Sequence, residues 1–111
     1  MTITGALASM TVSDLDRAEA WYGALFGRAP DARPMDGLLE WHLPGGAGVQ
    51  VFAEPDRAGR SGATLATDDL DDVARALTAA GVHHDGPRQA TSSRILQLAD
   101  PDGNRVVLTG R

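Results

Sequence analysis

The segment Met10-Thr11-Val12-Ser13-Asp14-Leu15-Asp16 has a counterpart 55 residues further on, Leu65-Ala66-Thr67-Asp68-Asp69-Leu70-Asp71. A second correspondence, at 57 residues, pairs Leu39-Glu40-Trp41 and Val49-Gln50-Val51 with Leu96-Gln97-Leu98 and Val106-Val107-Leu108. A two-residue insertion between the matched blocks accounts for the drift. Self-similarity at a fixed spacing implies one supersecondary unit built twice. In a chain of 111 residues, each copy is too small to bury a stable core alone, so the two must share one.

Each copy predicts the same order of elements. In the first, Ala6 to Val12 alternates as a strand, Asp14 is a helix N-cap, and Leu15, Ala18, Tyr22, Leu25 and Phe26 fall on one helical face. Gly27 and Pro30 end that helix. Ala32 to Met35 reads as a short strand, and Leu38 to Leu43 pairs with Val49 to Ala53 across Pro44-Gly45-Gly46-Ala47. In the second, a strand over Ala63 to Thr67 leads into a helix over Asp69 to Ala80, with Leu70, Val73, Ala74 and Leu77 inward and Gly81 as C-cap. An irregular strand near His84 to Ala90 follows, then Arg94 to Ala99, the turn Asp100-Pro101-Asp102-Gly103-Asn104, and Arg105 to Thr109. The fold class is therefore α+β: two βαβββ modules, 1–56 and 62–111, in a single domain 1–111. Arg57 to Gly62 forms the link.

Composition removes several functions. Fifteen acidic against ten basic residues give a net charge of -5, which disfavours a nucleic-acid backbone or an anionic membrane as partner. All ten cations are arginine, a bias that fits a GC-rich bacterial genome. The absence of cysteine excludes disulfides, thiolate metal sites and cysteine nucleophiles. No basic residue precedes the apolar stretch in Met1 to Val12, and no cleavage pattern follows, so a cytoplasmic protein without a targeting segment is expected. No run approaches the length of a membrane span.

The order and spacing of Val12-Ser13-Asp14-Leu15-Asp16-Arg17 running into Trp21-Tyr22, then Asp68-Asp69-Leu70-Asp71, then Asp100-Pro101-Asp102-Gly103-Asn104 resemble the vicinal oxygen chelate (VOC) superfamily. That superfamily includes glyoxalase I, bleomycin-resistance proteins and extradiol dioxygenases. The resemblance implies a curved mixed-sheet cup, the glyoxalase/bleomycin-resistance fold, usually in a homodimer. It does not imply one reaction, since a fold hosts many. It also implies metal-ligand positions: seven residues before each helix-capping Asp, which are Leu7 and Gly62, and on the last strand of each module, which are Gln50 and Val107. Leu, Gly and Val side chains offer no lone pair, and Gln50 alone does not hold a divalent cation against water. No metal site and no cofactor are expected. The acids Asp68, Asp69, Asp71 and Asp72 are read as favouring the helix macrodipole rather than binding calcium. His83 and His84 are read as a solvated loop.

Strand parity separates core from cup. Leu39, Trp41, Leu43, Val49, Val51, Leu96, Leu98, Val106 and Leu108 form the core set, with Trp41 under the first helix and Tyr22 on that helix's inward face. The opposite faces carry the ligand-binding candidates Leu7, Ser9, Glu40, His42, Gln50, Phe52, Thr64, Ile95, Gln97 and Val107, together with Thr11, Gly62 and Arg105. Trp21 is expected partly exposed at a dimer contact. A largely apolar concavity with a few placed polar groups suits a small molecule. The reading is a metal-free protein that binds a small, partly apolar organic molecule for sequestration, resistance or sensing. Two others stand beside it. One is a VOC-type lyase, isomerase or dioxygenase-like enzyme with a displaced metal site or a Glu40/His42 acid-base pair, and the other is an interaction module with a vestigial cup. Three donor-free ligand positions weigh against the enzyme.

Overall fold

Alternating apolar side chains let both halves of the chain form sheets with one face covered. In the computed structural model, which describes residues Met1–Arg111, the elements run β1 (Ala6–Val12), α1 (Leu15–Phe26), β2 (Ala32–Met35), β3 (Leu38–Leu43), β4 (Ala47–Ala53), β5 (Gly62–Thr67), α2 (Leu70–Ala79), β6 (Arg88–Gln89), β7 (Arg94–Ala99) and β8 (Arg105–Gly110). They form two four-stranded mixed sheets, ordered β1-β4-β3-β2 and β5-β8-β7-β6. In each, the leading strand lies parallel to the last and the remaining pairs are antiparallel. β1 also approaches β5, which joins the two sheets at their leading edges.

Both helices start where a carboxylate can cap them. Asp14 accepts from the Arg17 N–H and Asp69 from the Asp72 N–H, each satisfying an otherwise unpaired first-turn donor. Gly27 ends α1 in the left-handed conformation. The helices cover one face of the sheets, and their buried side chains merge with the strand residues into one cluster. Met10, Val12, Tyr22, Leu39, Trp41, Val49 and Val51 from the first half meet Leu70, Leu77, Leu96, Val106 and Leu108 from the second. Trp41 is fully buried, stacks on Phe26 at 5.5 Å and donates its indole N–H to the Arg28 carbonyl at 3.0 Å. At the surface, Arg33 pairs with Glu19 and Arg94 with Asp71, tying each helix to its own sheet.

The halves are joined within one chain by a polar network at the 100–104 turn. The buried Asp100 carboxylate accepts from the Tyr22 hydroxyl at 2.8 Å, from the Asn104 side chain at 2.8 Å, and from the N–H groups of Asp102 and Asn104. Asn104, fully buried, donates to the Thr11 carbonyl at 2.8 Å and accepts from the Ser61 N–H at 2.8 Å. Ser61 in turn accepts from the Thr11 N–H, and Ser13 binds the Asp102 carboxylate. Gly59 lets the link press onto this turn: its φ is +86°, and a Cβ there would stand 2.5 Å from the Asp102 carbonyl oxygen. Burial, reinforced by the Asp100 carboxylate, pushes the Tyr22 phenol far above its ordinary range, so it remains a neutral donor.

Three expectations are revised. Thr11 is buried rather than cup-facing, because the link and Asn104 cover that end of β1. The strand expected over His84 to Ala90 shrinks to Arg88–Gln89. Pro87 supplies no N–H, and the chain before it is drawn onto α2 by His84, whose Nδ1 accepts from the Gly86 N–H while Nε2 lies 3.0 Å from the Ala74 carbonyl. His84 is therefore half-buried against the side of α2, at Ala74 and Thr78, and only His83 is a solvated loop residue.

Asn104→Ala leaves the Ser61 N–H unpaired and the Thr11 carbonyl with only a long bond from the Gly59 N–H, and should cost about 3 kcal/mol of stability; Tyr22→Phe, which removes one bond to a carboxylate, should cost about 1.5 kcal/mol. Urea denaturation measures both. A loss under about 0.5 kcal/mol for Asn104→Ala, the size of an ordinary surface change, would show that the network does not join the halves.

Candidate functional site

The faces of the sheets away from the helices carry the remaining polar groups, and strand register arranges them in rows. On the first sheet Glu40, Gln50 and Ser9 lie side by side across β3, β4 and β1. His42, Gly48 and Leu7 form the next row, and Leu38, Phe52 and Thr11 the row on the other side. Gln50 donates to the Ser9 hydroxyl at 2.7 Å, and His42 Nε2 lies 2.9 Å from Glu40 Oε1. Gly48 lets the Leu7 side chain lie across the middle of its row: a Cβ would stand 2.7 Å from the Trp41 carbonyl and 2.6 Å from the Leu7 side chain.

His42 is held by its backbone. Asp31 accepts its N–H at 2.6 Å, and Arg28 bridges Asp31, at 2.8 Å, and the His42 carbonyl. The loop before β2 thus supplies, through two side chains, hydrogen bonds that a neighbouring strand would otherwise make. The Arg28 guanidinium, followed by the His42 N–H, holds the Asp31 carboxyl below the usual carboxylate range.

On the second sheet the equivalent row is Gln97, Val107 and Thr64, flanked by Ile95, Thr109 and Ala66 on one side and Ala99, Arg105 and Gly62 on the other. The ten expected cup residues therefore fall into two groups, Leu7, Ser9, Glu40, His42, Gln50 and Phe52 on one sheet and Thr64, Ile95, Gln97 and Val107 on the other.

A groove of about 810 Å³ lies beside the second row and touches none of the expected residues of the first sheet. It runs between α1 and β7–β8, with the loop after α2 at its rim, and takes in Gln97 and Val107 from the expected set. Trp21, Ala20 and Ala24 form its helical wall. Strand parity pointed to the sheet face but missed this wall, because alternation within a strand carries no information about which helix packs across its edge.

The residues at the family's metal positions do not fit a metal. Leu7 and Val107 are hydrocarbon, Gly62 has no side chain, and Gln50 offers a single neutral amide oxygen, too little to hold a divalent cation against water. No three His, Asp or Glu side chains converge anywhere in the structure. In the acidic run at the start of α2, Asp69 caps the helix, Asp71 pairs with Arg94 and Asp72 lies 3.5 Å from Arg75.

The model of the Glyoxalase/Bleomycin resistance protein/Dioxygenase superfamily matches residues 5–108. The chain belongs to that superfamily. A glyoxalase/bleomycin resistance protein from Catenulispora acidiphila superposes with a TM-score of 0.90 at 28% identity, covering 98% of this chain and 99% of that one. TnmS3, an antibiotic binding protein from Streptomyces sp. CB03234, superposes with a TM-score of 0.82 at 29% identity, covering 99% and 98%. A bleomycin-binding protein in complex with bleomycin shares the fold at 23% identity, with a TM-score of 0.79 and 99% of both chains covered. No curated protein matches the sequence. No helix is long and apolar enough to cross a membrane.

The sign of the pH effect at Asp31 follows from its lowered proton affinity. A carboxyl depressed in the folded state stabilises it above the unfolded value, near pH 4, and that contribution is lost as pH falls through the folded value. Asp31→Asn should lower the melting temperature at pH 7 and flatten its decline between about pH 5 and pH 2. An acid limb identical to that of the parent protein would remove Asp31 from the anchoring of His42.

Proposed function

We propose that this member of the superfamily binds a small, partly apolar organic molecule without a metal, and acts by sequestration, resistance or sensing. The observation that carries the reading is the combination of donor-free metal positions with an open sheet face bearing polar groups. Leu7, Gly62 and Val107 stand where ligands would be needed, while Ser9, Gln50, Glu40 and His42 sit beside the apolar Leu7 and Phe52. Such a surface orients a ligand through a few hydrogen bonds and gains affinity from apolar contact. Thr64, Ile95, Gln97 and Val107 supply the matching surface of the second module. The likeness to an antibiotic binding protein supports the same reading.

On this reading modules 1–56 and 62–111 act as one domain, and a homodimer brings the two sheet faces together into the cup. No nucleic acid, membrane or cofactor takes part, and the protein works in the cytoplasm. The 2.9 Å contact between His42 and Glu40 favours one other reading, an acid-base pair acting on the bound molecule. The mass of ligand recovered after prolonged incubation separates the two: unchanged for a binder, altered for an enzyme.

A thermal-shift screen with hydrophobic antibiotics and aromatic metabolites tests binding directly. A ligand present at one hundred times its Kd stabilises the native state by about 2.7 kcal/mol, which for a chain of this size raises the melting temperature by roughly 10 °C. No shift across a broad panel would favour an interaction module instead. Protein purified without chelator should contain only substoichiometric zinc, iron, nickel or manganese, and stoichiometric metal would overturn the metal-free reading.

A further inference from the structure

The two tryptophans have opposite environments. Trp41 is sealed in the core with its indole N–H bonded to the Arg28 carbonyl. Trp21, one residue from the buried Tyr22 and edge-on to it at 4.7 Å, is only half-buried and lines the 810 Å³ groove. Its indole N–H forms no hydrogen bond within the chain, whereas the buried polar side-chain atoms are all satisfied. Across the groove, Gln97 and Arg105 are exposed and also unpartnered, since the ion pairs of the chain engage other arginines. The Trp21 indole N–H, the Arg105 guanidinium and the Gln97 amide therefore border the same space with no partner in the chain. Ala20 and Ala24 leave the helical wall low on either side of the indole, and Val107 contributes an apolar floor.

We propose that this groove is a binding site for a planar aromatic carboxylate, stacked on Trp21 with its carboxylate on Arg105 and Gln97. An aromatic face offers an exposed indole the contact it lacks, worth more than its area alone, and a guanidinium pairs with a carboxylate through two parallel hydrogen bonds. The cavity lies in the size range of small-ligand pockets, about 300–1,000 Å³. The other charges at the rim do not cancel Arg105. Asp85 is 99% exposed and stands 3.8 Å from His83, so it is screened by water. The inference rests on the reading that the chain binds small organic molecules, and gives that reading a ligand class and a location on α1 that strand parity does not reach.

The test is a titration with 1-naphthoate, followed by quenching of tryptophan emission and by thermal shift, with 1-naphthalenemethanol as the uncharged control. Saturable quenching and a raised melting temperature are expected with the acid. The alcohol should bind at least about tenfold more weakly, and Arg105→Gln should weaken the acid by a similar factor while leaving the alcohol unchanged. Ala20→Phe, at an exposed helix position outside the core, should block both ligands without altering the melting temperature of the free protein. Trp21→Phe should abolish the quenching, and the thermal shift then reports the remaining affinity. Equal binding of acid and alcohol, or insensitivity to Arg105→Gln and Ala20→Phe, overturns the proposal. A probe whose thermal shift is lost in Glu40→Gln or Gln50→Ala, and kept in the groove variants, overturns this site while the small-molecule reading stands. A concentration-dependent blue shift of Trp21 emission that excludes naphthoate would assign the groove to a second copy of the chain, and would also overturn it.

Discussion

A carboxylate buried between two modules has to be fully hydrogen-bonded, because leaving such a charge unpaired costs about 3–5 kcal/mol. Asp100 meets that requirement through Tyr22 from the first module and through Asn104 and Asp102 within its own turn. Asn104 completes the join at the Thr11 carbonyl and Ser61. The rest of the architecture depends on this arrangement. It fixes β1 beside β5, buries the helix-covered faces in one core, and turns the opposite faces outward.

The two halves repeat a fold without repeating a surface. The row Ser9, Gln50 and Glu40 on the first sheet corresponds to Thr64, Val107 and Gln97 on the second. The first thus carries a carboxylate beside an imidazole, and the second an apolar residue next to an unpaired arginine. The joining turns have diverged as well. Pro44-Gly45-Gly46 closes its hairpin with no side chain that reaches the other module, whereas Asp100 to Asn104 carries the network. Such divergence lets one half specialise in holding the domain together while the other keeps an open polar face.

Much of the fold was legible because its signals are local. Period-two alternation placed the core side chains of β3, β4, β7 and β8, and each of Leu39, Trp41, Val49, Val51, Leu96, Leu98, Val106 and Leu108 is buried. The caps Asp14 and Asp69 act as such for the same reason, since a cap bonds only two or three residues ahead. The errors came where distant groups decide. Thr11 has the parity of an exposed residue but is covered by Ser61 and Asn104. His84 looked solvated but bonds back to the side of α2.

The sequence by itself determined the α+β class, the repeat, the capped helices and the absence of donors at Leu7, Gly62 and Val107, since each follows from residue identity and short-range spacing. Only the tertiary structure decided that the two modules join through Asp100 and Asn104, that the expected cup residues divide between two sheets, and that Trp21 faces Arg105 across a groove. Those outcomes depend on which surfaces meet once the core closes. Burial and hydrogen-bond satisfaction act there between residues up to 93 positions apart, a separation that periodicity does not encode.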